Sequence, residues 1–118
     1  VTLRGAALRR ALENGLSRAP EAAGRCPQVA GIRLAWYPAA PPGERVRSVE
    51  VAGAPLDPRR AYRLVTSDFL RRGGDDYDEL RDDALVAYDG GAPMEDALAE
   101  WLAAGRPAPG VDGRLTRR

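Results

Sequence analysis

The chain has 118 residues, 44% hydrophobic and 30% charged, with a formal net charge of +1. That is the profile of one globular domain, long enough to bury roughly two-thirds of its unfolded surface without disulfides or a structural metal. It holds no histidine, a single cysteine and only arginine among its 18 basic residues, which removes Ser-His-Asp and Cys-His catalysis, clustered zinc ligands, the P-loop lysine and Schiff-base chemistry.

Carboxylate chemistry, arginine as an anion clamp and binding through aromatics survive that filter. Arg and Asp/Glu are interspersed, so there is no electrostatic footprint for nucleic acid. No apolar run reaches membrane-spanning length, and no signal-peptide pattern is present. The opening Val1-Thr2-Leu3 reads as a strand entered partway and lacks an initiating Met, which points to an excerpt of a longer protein.

After Gly5, the residues Ala7, Leu8, Ala11, Leu12 and Leu16 recur at helical spacing, with Arg9, Arg10, Glu13 and Asn14 on the other face. Pro20 ends this helix. Residues 24–31 are turn-rich, and Cys26 within them reads as a buried small hydrophobe. Ile32, Leu34 and Trp36 then alternate with Arg33, Ala35 and Tyr37, the pattern of a half-buried strand. A proline-containing loop over 38–43 leads to a second such strand around Val49 and Val51, and a turn is predicted at Gly53-Ala54-Pro55. A further strand is expected over 62–66, with neighbouring strands antiparallel. A helix is predicted over 94–104, with Met94, Ala97, Leu98, Trp101 and Leu102 on one stripe and Gly105 as its stop. Pro107, Pro109 and Gly110 lead to a short last strand at Arg114-Leu115. The fold class is α+β: a single layered domain over 1–118, with a mixed or mostly antiparallel sheet and flanking helices.

The acidic run Asp75, Asp76, Asp78, Glu79, Asp82 and Asp83 resembles a calcium loop only in composition. Counted from Asp76, the fifth position is Leu80 and the sixth Arg81, where an EF-hand needs an acid and a glycine. A solvated acidic turn at a helix start fits better. Gly73-Gly74-Asp75 is more distinctive, because the glycines let another molecule approach the backbone and the carboxylate can accept from paired hydroxyls such as those of a ribose. Phe69, the only phenylalanine, offers a face on which a nucleobase stacks. Equally, Phe69 fits a core position and the glycines fit a plain turn.

Several segments taken in order resemble the C-terminal domain of the 5'-nucleotidase family, which includes bacterial periplasmic UDP-sugar hydrolases and the vertebrate ecto-enzyme. They are 24–31 (Gly-Arg-Cys-Pro-Gln-Val-Ala-Gly), 42–46 (Pro-Gly-Glu-Arg-Val), Leu56-Asp57-Pro58, Tyr62-Arg63-Leu64-Val65-Thr66, and Asp68-Phe69-Leu70 through Gly73-Gly74-Asp75. The similarity extends to Gly113-Arg114-Leu115. The resemblance implies that Phe69 forms one side of an aromatic clamp around the base, and that Asp75, beside Gly73 and Gly74, bonds the ribose hydroxyls of a nucleoside or nucleotide ligand. It places the other half of the pocket upstream of Val1. It also implies an N-terminal metallophosphoesterase domain of the same chain carrying two divalent metal ions, with no cofactor, metal ligand or catalytic residue in this segment. A location outside the cytoplasm follows from the same resemblance: extracellular, periplasmic or at the cell surface.

Three positions depart from the family pattern. Arg72 stands where Asn or a small residue is common, Cys26 where Phe is usual, and Asp76 where Gly is common. Asp76 lacks glycine's freedom at positive φ, which predicts a differently shaped loop. The resulting expectation is a nucleoside-binding specificity domain of a metal-dependent phosphohydrolase acting in nucleotide catabolism, inactive on its own. The alternative is a non-catalytic binding or cell-surface module of the same fold.

Overall fold

A computed structural model describes residues 1–106 and 110–118; the tail prolines Pro107 and Pro109 lie outside the described residues. Strand β1 (Thr2–Arg4) runs directly into helix α1 (Gly5–Leu16), which is the centre of the molecule. The first turn of α1 has no side-chain cap. Instead, Gly5 N–H donates to the carbonyl of Arg60 at 2.9 Å and Ala6 N–H to that of Pro58 at 3.0 Å, so a loop supplies the acceptors that helix-start amides require.

The five apolar positions read from the sequence of α1 are all buried, and they divide between two cores. Leu8, Leu12 and Leu16 pack on Leu34, Val46 and Val49, whereas Ala7 and Ala11 join Leu3, Tyr77 and Leu80. The first cluster lies against a four-stranded sheet of β2 (Ile32–Trp36), β3 (Val46–Val51), β4 (Ala54–Pro55) and β6 (Leu115–Arg117), in the order β4-β3-β2-β6. Its pairs are antiparallel except β2 with β6, which is parallel. Strand β5 (Ala61–Arg63) pairs antiparallel with β1 in a separate two-stranded sheet. Three further α-helices lie among the described residues, α2 (Asp68–Arg71), α3 (Asp78–Asp82) and α4 (Met94–Ala103), with short 3-10 turns at Ala19–Glu21 and Gly74–Asp76. The mixed, mostly antiparallel α+β architecture is the one the sequence pattern predicts.

Four details differ from the sequence reading. Glu13 sits on the expected polar face yet is 8% exposed. Its two carboxylate oxygens accept the backbone N–H groups of Arg45 at 2.9 Å and Val46 at 2.8 Å, which satisfies the charge where β3 begins. The turn placed at 53–55 falls at Ala52 and Gly53, with φ of 52° and 81°. This is the left-handed pair that a two-residue hairpin needs, and it frees Ala54–Pro55 to pair as β4. The strand expected over 62–66 is limited to Ala61–Arg63 because β1 offers only three partners, and Val65 is exposed. Finally, Cys26 is partly buried against the first core, short of full burial.

Arg45 ties the two layers together. Its Nη1 donates to the carbonyls of Leu16 at 2.5 Å and Ser17 at 2.7 Å, and its Nε to Ala40 at 2.9 Å. A buried guanidinium thus meets the orphan carbonyls and negative dipole end of α1.

Candidate functional site

Residues 67–77 form the candidate site. Ser67 caps α2, its Oγ accepting the Leu70 N–H at 3.3 Å, so a one-turn helix holds Phe69 in a fixed direction. Phe69 is 57% exposed; a core position is therefore ruled out for it. The ring lies against Gly74, where a Cβ would come within 2.6 Å of two ring carbons. Glycine at 74 is thus required by close approach, and the aromatic is pinned on one side and open elsewhere. Gly73 has φ of 91° and rests on the Arg81 guanidinium.

After Gly74, which has no positive φ, the backbone is left-handed at two residues that carry a Cβ, Asp75 at φ 54° and Asp76 at φ 60°. Asp tolerates this region better than most residues, but it is still uncommon. Asp76 therefore adopts a positive φ despite its Cβ, contrary to the expectation drawn from its side chain. Tyr77 then turns back into the second core. Its hydroxyl donates to the Arg25 carbonyl at 2.8 Å, and its ring end fills the space beside Gly15 on α1. Burial pushes the Tyr77 hydroxyl up to about 12, with the nearby Cys26 and Asp75 adding to the effect.

All but one of the carboxylates in the acidic run are paired with arginine among the described residues. Asp76 pairs with Arg25 at 2.8 Å, Asp78 with Arg81 at 3.0 Å, Asp82 with Arg81 at 2.7 Å, Asp83 with Arg10 at 2.6 Å, and Glu79 with Arg10 at 4.0 Å. The Arg81 hydrogen bond holds the Asp82 carboxyl below its ordinary value. Asp75 is the exception: among the described residues its carboxylate has no arginine or hydrogen-bond partner, while its backbone carbonyl accepts from Asn14 Nδ2 at 3.0 Å. No group of three or more His, Cys, Asp or Glu is arranged to hold a metal ion among the described residues. No described helix is long and apolar enough to cross a membrane.

The structure brings Phe69 on α2 together with Gly73, Gly74 and Asp75 in the turn that follows it; Phe69 and Asp75 are exposed and the two glycines partly buried. A cleft of about 370 Å³ beside β2, lined by Arg33, Glu50, Asp112 and Arg114 among others, includes none of them. Sequence reasoning gave no role at the loop to Asn14, Gly15, Arg25 and Tyr77, whose partners lie 51 to 62 residues away.

The α+β scaffold thus carries an open aromatic ring on α2 and, six residues on, a carboxylate without a partner among the described residues. Comparison with known proteins places it. The family model for the 5'-nucleotidase C-terminal domain matches residues 1–82. A snake venom 5'-nucleotidase of Crotalus adamanteus is 30% identical over 96% of the chain and 21% of its own length, and the 5'-nucleotidase of Homo sapiens is 27% identical over 98% of the chain and 21% of its own. A crystal structure of a 5'-nucleotidase precursor from Thermus thermophilus superposes with a TM-score of 0.92 at 34% identity, over 98% of this chain and 24% of that one. A sulfate thiohydrolase, SoxB, from the same genus aligns at a TM-score of 0.62 and 31% identity, over 98% of this chain and 21% of that one. The chain belongs to the 5'-nucleotidase C-terminal domain family. It spans about a fifth of the length of the curated relatives it matches.

Proposed function

We propose that this chain is the nucleoside-binding part of a 5'-nucleotidase-type phosphohydrolase, with Phe69 stacking on the base and Asp75 accepting hydrogen bonds from the ribose hydroxyls. The observation that carries the reading is Asp75: every other acid between 75 and 83 is paired with arginine, and this one is exposed and free among the described residues. It lies in the turn that follows an aromatic ring that is 57% exposed. A carboxylate is an acceptor only, so vicinal hydroxyls satisfy it well, and an open ring face is a stacking platform.

Phosphate chemistry falls, in this reading, to a separate N-terminal metallophosphoesterase domain of the parent protein, where two divalent ions would supply Lewis-acid chemistry. This chain contributes binding and orientation, and by itself it is expected to be inactive. The venom enzymes among its relatives fit a secreted, periplasmic or cell-surface parent.

Calorimetry of adenosine binding to the full-length parent protein tests the site. Phe69→Ala should cost about 1–3 kcal/mol of affinity, the usual range for one base stacked on an aromatic. Asp75→Asn should cost about 1.5–3 kcal/mol, as loss of charge-assisted hydrogen bonds does. Unchanged affinity in both variants overturns the assignment.

A further inference from the structure

Asp75 and Asp76 sit side by side with nearly the same positive φ, 54° and 60°, yet their carboxylates have different fates. Asp76 reaches Arg25 Nη2 at 2.8 Å; Asp75 has no partner among the described residues. Consecutive left-handed residues with Cβ atoms need outside support, because each crowds its following carbonyl. The support here is a closed circuit of contacts. Asn14 Nδ2 donates to the Asp75 carbonyl at 3.0 Å, and the Arg25 guanidinium takes the Asp76 carboxylate. Arg25 Nη1 donates to Asn14 Oδ1 at 3.3 Å, and the Tyr77 hydroxyl donates to the Arg25 carbonyl at 2.8 Å. The end of α1, the 24–31 turn and the binding loop all meet in it.

We propose that Arg25 and Asn14 are positioning residues for the binding loop: the Arg25–Asp76 ion pair and the Asn14–Asp75 hydrogen bond fix the left-handed pair and leave Asp75 as the presented carboxylate. The two adjacent acids therefore divide the work, one latching the loop and the other facing the ligand. Exposure supports the division. The Arg25 side chain is 16% exposed and the Asp76 side chain 73%, so the arginine is held by its surroundings before it pairs, and little freedom is lost in closing the latch. Preorganisation of this kind raises affinity by removing the ordering cost from the binding step. The inference rests on the nucleoside reading for its ligand, while the latch itself is a property of the loop.

The test uses the full-length parent protein and four variants: Arg25→Met, Asn14→Ala, Asp76→Gly, and Arg25→Met combined with Asp76→Gly. Arg25→Met should weaken adenosine binding about threefold to fivefold, the scale of a partly exposed pair, and Asn14→Ala by a similar factor. Asp76→Gly also loses the ion pair, yet should weaken binding less than Arg25→Met does, because glycine takes positive φ without support. The double variant should bind like Asp76→Gly; a structural fault at Arg25 gives no such rescue. A double variant as weak as Arg25→Met, or an Arg25→Met protein with unchanged affinity, overturns the latch. Phe69→Ala and Asp75→Asn run alongside. If these also leave adenosine binding unchanged, the nucleoside reading has failed, and amide hydrogen exchange at residues 75–77 decides the latch. Exchange that quickens in Arg25→Met and recovers in the double variant supports it, and unaltered exchange overturns it.

Discussion

At the scale of single residues, the loop works because side chains and missing side chains interlock. Gly74 is the clearest case, since a methyl group there would collide with the Phe69 ring. Gly74→Ala should leave the melting temperature within a few degrees, as the site lies in the partly exposed turn after α2, yet weaken adenosine binding about tenfold by displacing the ring; calorimetry beside a thermal melt separates the two effects. Tyr77 gives a pH signature. Its hydroxyl titrates near 10 when unfolded and is raised to about 12 by burial in the folded chain. The stability this represents is fully present below about pH 10 and is lost as pH rises toward 12, because the unfolded state gives up its proton first. Denaturant midpoints measured between pH 9 and 12 should fall less steeply for Tyr77→Phe than for the natural chain. An equal slope in both contradicts the burial argument. Phe69 and Asp75 were legible as candidates from residue type and the paired glycines alone, though only the structure separates an exposed platform from a core phenylalanine. Asn14 and Arg25 were not legible, because an amide on a helix and an arginine in a turn carry no sign of partners more than 50 residues away.

At the scale of elements, period and turn chemistry did most of the work. The stripe on α1 and the alternation in β2 follow from spacing, and both appear with their apolar faces on the cores as expected. Glu13 broke the pattern because its burial depends on two backbone amides of a strand that starts 33 residues later. Glu13→Ala should cost about 2–4 kcal/mol, since two buried N–H groups lose their acceptors, and Leu34→Ala about 2–5 kcal/mol from the void left in the sheet-facing core. Urea titrations check both, and a loss below about 1 kcal/mol for Glu13→Ala contradicts the role given to its carboxylate. Helix α4 shows the opposite limit of sequence reading. Its stripe predicts a helix correctly, but Met94, Leu98 and Leu102 remain exposed. Periodicity locates an apolar face and is silent on what lies against it.

At the scale of the whole molecule, α1 separates two cores: one joins it to the sheet, and the other joins it to β1 and α3 and so carries the 67–77 segment. The absence of histidine, which first served only to exclude mechanisms, fits the proposed reading, in which this domain binds a nucleoside and needs no general base. The central claim is that this chain recognises the nucleoside while the phosphate chemistry takes place elsewhere in the parent. The most direct measurement compares kcat/KM of the full-length protein, and of its Phe69→Ala, Asp75→Asn double variant, on adenosine monophosphate and on p-nitrophenyl phosphate, which has no nucleoside. The account predicts a loss of about a hundredfold or more on the nucleotide, the combined scale of the two interactions, with turnover of the nucleoside-free ester unchanged. Equal loss on both substrates, or no loss on the nucleotide, contradicts it.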